Sequence, residues 1–219
     1  MTEVFDCSDA EARPTGIASA ISAVKGGRLV VLPTDTVYGI GADAFDSTAV
    51  AALLSAKGRG RDMPVPVLVG SWRTIEGLVY TVPNTARELI RAFWPGALSL
   101  VVRQAPSLQW DLGDAAGTVM LRMPLHPVAI QVLREVGPMA VSSANISGQP
   151  AAVTVDDARN QLGDLVEVYL DAGPSEQRAA STIVDLTGAH PRIVRTGPVT
   201  AEAIAEVLGV DADSLTATT

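Results

Sequence analysis

Short apolar segments recur along the chain and are separated by turn-forming residues. Eight of them have the length and apolar content of β-strands, namely 29–32, 65–69, 98–103, 118–123, 140–143, 166–170, 182–186 and 193–195. Strands that alternate with helices indicate an α/β domain. The last two segments are joined by too few residues for a helical crossover, so we expect a mixed parallel and antiparallel sheet.

Five segments carry apolar residues at helical spacing. The first has an apolar face that stops at glycines 26–27, and the others begin at the candidate cap Ser47 or cover 126–137, 154–163 and 200–209. Thr154 with Asp157 three residues later is typical of a capping box. We find no internal repeat and no long linker, which favours a single domain.

Composition limits the class of protein. The 219 residues are 47% hydrophobic, enough for a sizeable core. The net charge of −8 disfavours a general nucleic-acid binder, whose affinity comes largely from neutralising phosphates. A local exception is the segment "KGRGR", which places Lys57, Arg59 and Arg61 within five residues. This segment is either a solvated charged loop or part of a binding site.

Three features predict a cytoplasmic protein. The apolar runs are far shorter than the roughly 18 residues that a membrane helix needs. The first nine residues contain three acidic side chains and no basic apolar leader. The one cysteine, Cys7, excludes an internal disulfide and fits a reducing compartment.

Polar side chains cluster at the ends of the predicted strands, where functional residues of such sheets collect. The common phosphate-loop, dinucleotide, zinc and serine-hydrolase motifs are missing from the sequence. Of the two histidines, His126 precedes a proline at a helix start, which favours a structural role over that of a base.

The cationic residues and neutral donors that remain suit an anionic, phosphate-bearing ligand such as a nucleoside triphosphate. They are Lys57, Arg59, Arg122, Arg195, Ser143 and Asn145. Structural alternatives stay open at this point. Arg122 and Arg195 could each pair with a carboxylate at the edge of the core. Ser142, Ser143 and Asn145 could form a turn before Gly148. Asp35 could bind a metal ion or fix its own turn, although one carboxylate does not make a metal site.

Seven motifs in order, "PTDTVYGIG", "KGR", "FWPG", "RMPLHP", "SSANISGQP", "STIVDL" and "VRTGP", closely resemble the YrdC-like family of threonylcarbamoyl-AMP synthases. The resemblance covers about residues 16–200. It implies one YrdC-like α/β domain with a twisted mixed sheet, helices packed on it and an open, concave, basic site. It also implies the reaction of L-threonine, bicarbonate or CO₂ and ATP to threonylcarbamoyl-AMP and pyrophosphate, with Mg²⁺ on the phosphates.

The resemblance further implies a role for each matching residue. Lys57 and Arg59 would be catalytic. The nucleotide would be held by Lys57, Arg59, Met63, Thr118, Ser143, Asn145 and Arg195. Threonine would be held by Thr34, Thr36, Arg122, Val141 and Ser181, with no metal ligand from the protein and with Asp35 mainly shaping its turn. The catalytic domain would span 10–200, followed by a C-terminal helix and tail at 201–219.

The implied product feeds tRNA modification, because a separate transferase complex would place the threonylcarbamoyl group on an adenosine next to the anticodon. Weak binding of tRNA is a further expectation. The chain departs from the family where Gly60 and Arg61 follow "KGR", which we expect to make a mobile flap at 58–63 looser and more basic. Leu68 stands where some relatives have histidine, and Arg178 stands where glycine is commoner. The resemblance implies the short, single-domain form of the family.

Two other functions remain as alternatives. One is a module that binds tRNA or double-stranded RNA without ligase chemistry, which the acidic net charge disfavours. The other is a carbamoyl-transfer domain like those fused in hydrogenase maturation proteins. Such domains accompany zinc-finger modules, and this chain lacks the cysteines for them.

Overall fold

A computed structural model describes residues 2–216, which form one sheet of ten strands. The strands are β1 (Glu3–Asp6), β2 (Val30–Leu32), β3 (Gly39–Asp43), β4 (Val67–Leu68), β5 (Leu98–Arg103), β6 (Thr118–Arg122), β7 (Met139–Ser143), β8 (Val168–Asp171), β9 (Thr182–Asp185) and β10 (Arg192–Arg195). All eight predicted strands are present, most of them one to three residues shorter than expected.

The sheet is mixed, as the short connections predicted. The strand order is β1-β8-β2-β3-β7-β4-β6-β5-β9-β10. The pairs β1–β8, β2–β8, β4–β6 and β5–β9 are parallel, whereas the remaining neighbours are antiparallel. The antiparallel pairing of β9 with β10 confirms that their connection is too short for a crossover.

Seven α-helices lie within the described residues: α1 (Arg13–Lys25), α2 (Ser47–Ala56), α3 (Asn84–Phe93), α4 (Pro127–Val136), α5 (Val155–Leu162), α6 (Ala201–Leu208) and α7 (Ala212–Thr216). The five predicted helices and the capping box of α5 are confirmed. The predicted cap of α2 is wrong by one residue. Asp46 caps this helix by accepting from two backbone N–H groups, because its carboxylate reaches Thr48 and Ala49 while Ser47 already belongs to the helix.

Helices cover both faces of the sheet, but unequally. On one face, α2, α3, α5 and α6 pack over a continuous core. On the other face, α1 and α4 pack over β2, β4, β7 and β8. The remaining part of that second face, on β5, β6 and β9, lines a cavity instead. None of the helices within 2–216 combines the length and the apolar character that a bilayer crossing needs.

Two strands were not predicted. β1 is an edge strand that reads "EVFD", so its apolar run of two residues is too short to indicate a strand. β3 reads "GIGAD", and glycine and aspartate are depleted in strands. It forms because both of its edges are paired, with β2 and β7. Gly39 is required by close packing, since a Cβ there would lie 2.6 Å from Cγ1 of Val141.

Candidate active site

A cavity of about 310 Å³ lies where the second face of the sheet is free of helices. Its floor consists of alternate residues of neighbouring strands, which point away from the core on the opposite face. Its rim comes from the segments that follow the strands. The polar lining residues are Thr34, Thr36, Tyr38, Arg59, Ser99, Arg122, Ser142, Ser143, Ser181 and Arg195.

The hydroxyl groups of the turn after β2 form a chain of hydrogen bonds in which the donor and the acceptor of each bond are determined. Thr34 Oγ donates to the carbonyl of Val37 (2.6 Å) and accepts from the backbone N–H of Thr36 (3.2 Å). The two threonine hydroxyls are 3.0 Å apart. Because the Thr34 hydrogen is already used, Thr36 must donate to Thr34, which leaves Thr34 with no further capacity. Thr36 Oγ can accept two hydrogen bonds, one of which Arg122 supplies, so one acceptor position remains for the cavity.

Arg122 continues this chain and is held by Asp35. Its Nη1 donates to Thr36 Oγ (2.8 Å), its Nε to the carbonyl of Gly96 (2.8 Å) and its Nη2 to Asp35 Oδ1 (2.6 Å). Arg122 and Asp35 are 6% and 2% exposed, so this ion pair is buried. Two of the five guanidinium N–H groups remain for a ligand. Burial lowers the pKa of Arg122, and the Asp35 charge opposes that shift.

The role expected for Asp35 needs correction. Its side chain does not fix its own turn, because the Thr34 hydroxyl does so. Instead, the Asp35 carboxylate accepts from Arg122 and from the backbone N–H of Leu125 (2.9 Å). It joins no cluster of metal ligands within 2–216. The alternative in which Arg122 pairs with a carboxylate is therefore observed, and Arg122 still lines the cavity.

Lys57 supports a loop beside the cavity, whereas Arg59 lines the cavity itself. Lys57 is 2% exposed, and its ammonium donates to the carbonyls of Ser143 (2.5 Å) and Asn145 (2.7 Å), so it supports the loop after β7. Burial, aided by the charge of Arg59, lowers the pKa of Lys57 to about 8. Arg59 lies in the cavity wall, where Nη1 donates to Ser142 Oγ (3.1 Å).

Arg195 reaches the cavity because β10 is irregular. Ile193 pairs with Val184 of β9, but Arg195 pairs with Ile183, so β10 contains one extra residue. Ile193 consequently packs on the covered core, while Arg195 lines the cavity beside Ile183. Arg195 donates to the carbonyl (2.9 Å) and the hydroxyl (3.1 Å) of Ser181, and no carboxylate of the described residues pairs with it.

The cavity carries an excess of positive charge. Three arginines line it, and Arg122 alone among them has a carboxylate within 4.0 Å in the part of the chain that the structure describes. Burial lowers the pKa of Arg59, which an anion beside it would offset. The site can therefore bind a polyanion on Arg59 and Arg195. Beside it, Arg122 and Thr36 offer donors and an acceptor to a group that has both a carboxylate and an N–H.

Not all predicted residues line the cavity. Met63 is exposed, and the Thr118 hydroxyl donates to the carbonyl of Ala115. Asn145 is buried, with its amide group donating to Ile146 and Gln149 and its Oδ1 left without a partner. The remaining predicted residues except Lys57 do line it, and their ligand contacts stay predictions.

The sequence did not single out Ser99 or Ser142, which also line the cavity. Ser99 is 2.8 Å from the hydroxyl of Ser181, and Ser142 accepts from Arg59. The signal for Ser99 is a hydroxyl within the otherwise apolar strand "LSLVV". His126 lies at the start of α4 outside the lining, with its pKa lowered by burial.

The expectation of a more basic flap is wrong. Arg61 is paired with Asp111 and Asp114, so it adds no free positive charge to the loop. Arg178 has a positive φ of 50°, a conformation that glycine adopts with less strain.

Comparison with known proteins gives a consistent result. The Sua5_yciO_yrdC family model, described as "Telomere recombination", matches residues 22–197. A Mycobacterium tuberculosis protein provisionally named threonylcarbamoyl-AMP synthase is 80% identical over 98% of this chain and 99% of its own length. A Pyrococcus abyssi protein named threonylcarbamoyl-AMP synthase is 34% identical over 88% of this chain and 57% of its own.

A crystal structure of P. abyssi Sua5 in complex with L-threonine superposes with a TM-score of 0.91. It is 32% identical to this chain, and the match covers 95% of this chain and 61% of the other. The fold expected from the sequence motifs is thus observed in a solved structure.

Proposed function

Since this chain belongs to the Sua5/YciO/YrdC family, we propose that it is an L-threonylcarbamoyladenylate synthase, an ATP-dependent nucleotidyltransferase. It joins L-threonine, bicarbonate or CO₂ and ATP into threonylcarbamoyl-AMP and releases pyrophosphate. The observation that carries the proposal is a pair of arginines, Arg59 and Arg195, that have no carboxylate partner among residues 2–216 and share one cavity with the Arg122–Thr36 cluster. A nucleotide and an amino acid together need this combination of groups.

The first step forms a carbamate. The amine of threonine attacks the carbon of CO₂, or of bicarbonate with loss of water, and gives up a proton. Arg122 has two free N–H groups for the threonine carboxylate, and Thr36 Oγ has acceptor capacity for an N–H of the amine. Holding the amino acid at both groups restricts its orientation, which lowers the entropic part of the barrier.

The second step forms the product. A carbamate oxygen attacks the α-phosphorus of ATP, the bond from that phosphorus to the β-phosphate oxygen breaks, and pyrophosphate leaves. Charge accumulates on phosphate oxygens, where Arg59 and Arg195 supply fixed positive charge. No covalent bond to the enzyme is needed in either step.

Magnesium fits this chemistry only as a partner of ATP. Within residues 2–216, no group of three or more potential ligands could hold a metal ion, and the cavity lining offers cations and neutral donors. We therefore assign Mg²⁺ to phosphate oxygens and water, as is common for this ion. When bound there it neutralises phosphate charge.

The destination of the product follows from the family. We place the enzyme in the cytoplasm, where its product passes to a transferase complex that modifies tRNA next to the anticodon. Weak binding of tRNA by this chain stays a prediction, and the net charge of −8 opposes it.

Pyrophosphate release tests the proposal. The purified protein, with ATP, Mg²⁺ and bicarbonate, should release pyrophosphate with L-threonine and far less with L-serine, L-valine or no amino acid. Arg59→Ala should lower the rate about 10²–10³-fold, because it removes a charge that faces the reacting phosphates. Arg192→Ala is the matched control, since Arg192 is an arginine outside the cavity lining that pairs with Asp185. Threonine-independent release, or none from folded protein, would refute the assignment.

A further inference from the structure

The loop that carries Arg59 is attached to the long connection between β5 and β6. Arg61 forms a fork with Asp111, with Nη1 and Nη2 at 2.9 Å and 2.8 Å from its two oxygens. Arg61 Nε also lies 3.4 Å from Asp114 Oδ1. Two carboxylates of one segment therefore hold a single side chain of the other, and a bidentate fork restricts orientation as well as distance.

The two backbones are in direct contact as well. Asp114 donates its N–H to the carbonyl of Arg61 (2.7 Å), and Val65 donates to the carbonyl of Leu112 (2.8 Å). Gly113 makes this approach possible. It has a φ of +103°, and a Cβ there would lie 2.8 Å from the Arg61 carbonyl oxygen.

The far side of the β5–β6 connection is anchored to the body of the protein. Leu112 is 3% exposed and belongs to the main core. The ring of Trp110 stacks on Phe45 with 5.5 Å between centroids, and its indole N–H donates to Gln104 (3.0 Å). The connection is thus a fixed support rather than a second loose loop.

Arg59 depends on this support for its position. It lies two residues before Arg61, and its Nη2 donates to the carbonyl of Pro64 within the same loop (3.2 Å). Its other contact is the Ser142 hydroxyl across the cavity wall. Neither contact ties the loop to the β5–β6 connection, whereas the contacts of Arg61 do.

We propose that Arg61 is a positioning residue, whose ion pairs with Asp111 and Asp114 hold the 58–65 loop on the β5–β6 connection and so keep Arg59 in the nucleotide site. The consequence for ligands rests on the proposed function, but the attachment of the loop does not. Arg61 acts through Arg59 and touches neither substrate.

Two measurements on the full chain separate the attachment of the loop from its effect on the position of Arg59. Hydrogen–deuterium exchange of the 58–65 backbone, without ligand, reports the attachment. Calorimetric binding of an α,β-methylene ATP analogue with Mg²⁺ reports the position of Arg59. The variants are Arg61→Ala, Arg61→Asp, and Arg61→Asp combined with Asp111→Arg. Arg73→Ala is the control, since Arg73 is exposed and stacks on its neighbour Trp72.

Arg61→Ala should speed exchange of the loop and weaken analogue binding about two- to fivefold, as expected for an exposed ion-pair cluster. Arg61→Asp should speed exchange and weaken analogue binding more than Arg61→Ala does. The charge swap Arg61→Asp/Asp111→Arg should restore most of the protection from exchange and most of the affinity for the analogue. Unchanged exchange in Arg61→Ala would show that the backbone hydrogen bonds alone hold the loop, and would refute the role of the Arg61 ion pairs. Faster exchange with unchanged analogue binding would refute the positioning of Arg59. Wild-type protein that binds the analogue but releases no pyrophosphate would count against the proposed function alone.

Discussion

Replacing Asp35 with alanine should destabilise the protein far more than replacing Asp111, although Asp35 accepts one hydrogen bond from its arginine and Asp111 accepts two. The Nη2–Oδ1 distances are 2.6 Å for Arg122–Asp35 and 2.8 Å for Arg61–Asp111. The surroundings differ, because the first pair has side-chain exposures of 8% and 2% and the second has 55% and 47%. Burial therefore decides the outcome.

The magnitude follows from what each substitution leaves behind. Without Asp35, Arg122 keeps a buried positive charge with no compensating carboxylate, which costs about 3–5 kcal/mol. The backbone N–H of Leu125 also loses its acceptor. Because Asp35 Oδ2 has no hydrogen bond to lose, we expect the low end of that range. Without Asp111, Arg61 returns to water and to Asp114, which costs about 0–1 kcal/mol.

Urea denaturation at fixed pH and salt, followed by circular dichroism, measures both losses. Urea is preferred because an ionic denaturant would screen the exposed pair. The double variant Asp35→Ala/Arg122→Met should be more stable than Asp35→Ala alone, because it removes the isolated charge. Losses that agree within about 0.5 kcal/mol, the scatter of surface substitutions, would show that burial does not govern these pairs.

Three further outcomes follow from the cavity and its supports. Because burial keeps the Lys57 pKa near 8, below the ordinary 10.5, the unfolded chain retains this proton at higher pH than the folded one. In urea melts, the unfolding free energy of the wild type relative to Lys57→Met should rise from pH 8 to 10, by up to about 1.4 kcal/mol per pH unit; a flat or falling difference would contradict this. Thr36→Val should raise the KM for threonine about ten- to a hundredfold in steady-state kinetics, with little change in the KM for ATP. Thr36→Ser should restore the KM for threonine. Equal effects on both substrates would argue against a contact between Thr36 Oγ and the threonine amine. Gly39→Ala should cost about 1–3 kcal/mol in unfolding free energy by crowding Val141. Gly188→Ala should cost under about 0.5 kcal/mol, because the added Cβ would meet only the His190 carbonyl oxygen, at an ordinary contact distance of 3.8 Å. Equal losses would show that the cavity wall relaxes freely.

Sequence patterns predicted those parts of the fold that are apolar and locally determined. β5 has the predicted bounds, because its alternate residues are buried in the main core. α3 was missed although it is strongly amphipathic, since it opens after a proline without a side-chain cap. β3 could not be found from its own composition, because its strand conformation comes from pairing with two neighbours distant in sequence.

The site was predictable as a set of residues but not as a set of contacts. The sequence indicated Arg122 and Asp35 separately, yet their pairing requires the turn after β2 to meet the end of β6. The position of Lys57 beneath the loop after β7 likewise depends on tertiary packing. Motifs record which residue types occur at a site, whereas burial and hydrogen-bond capacity determine what each one can still bind.

The extra residue in β10 makes the site sensitive to the length of one edge strand. Side chains of a strand alternate between the two faces, so the parity of the residue count decides which face Arg195 meets. If β10 were regular and Val194 paired with Ile183, Arg195 would lie on the same face as Ile193 and away from the cavity. A change of register in this hairpin can therefore turn Arg195 away from the cavity and abolish activity, while every ligand-binding side chain remains in the sequence.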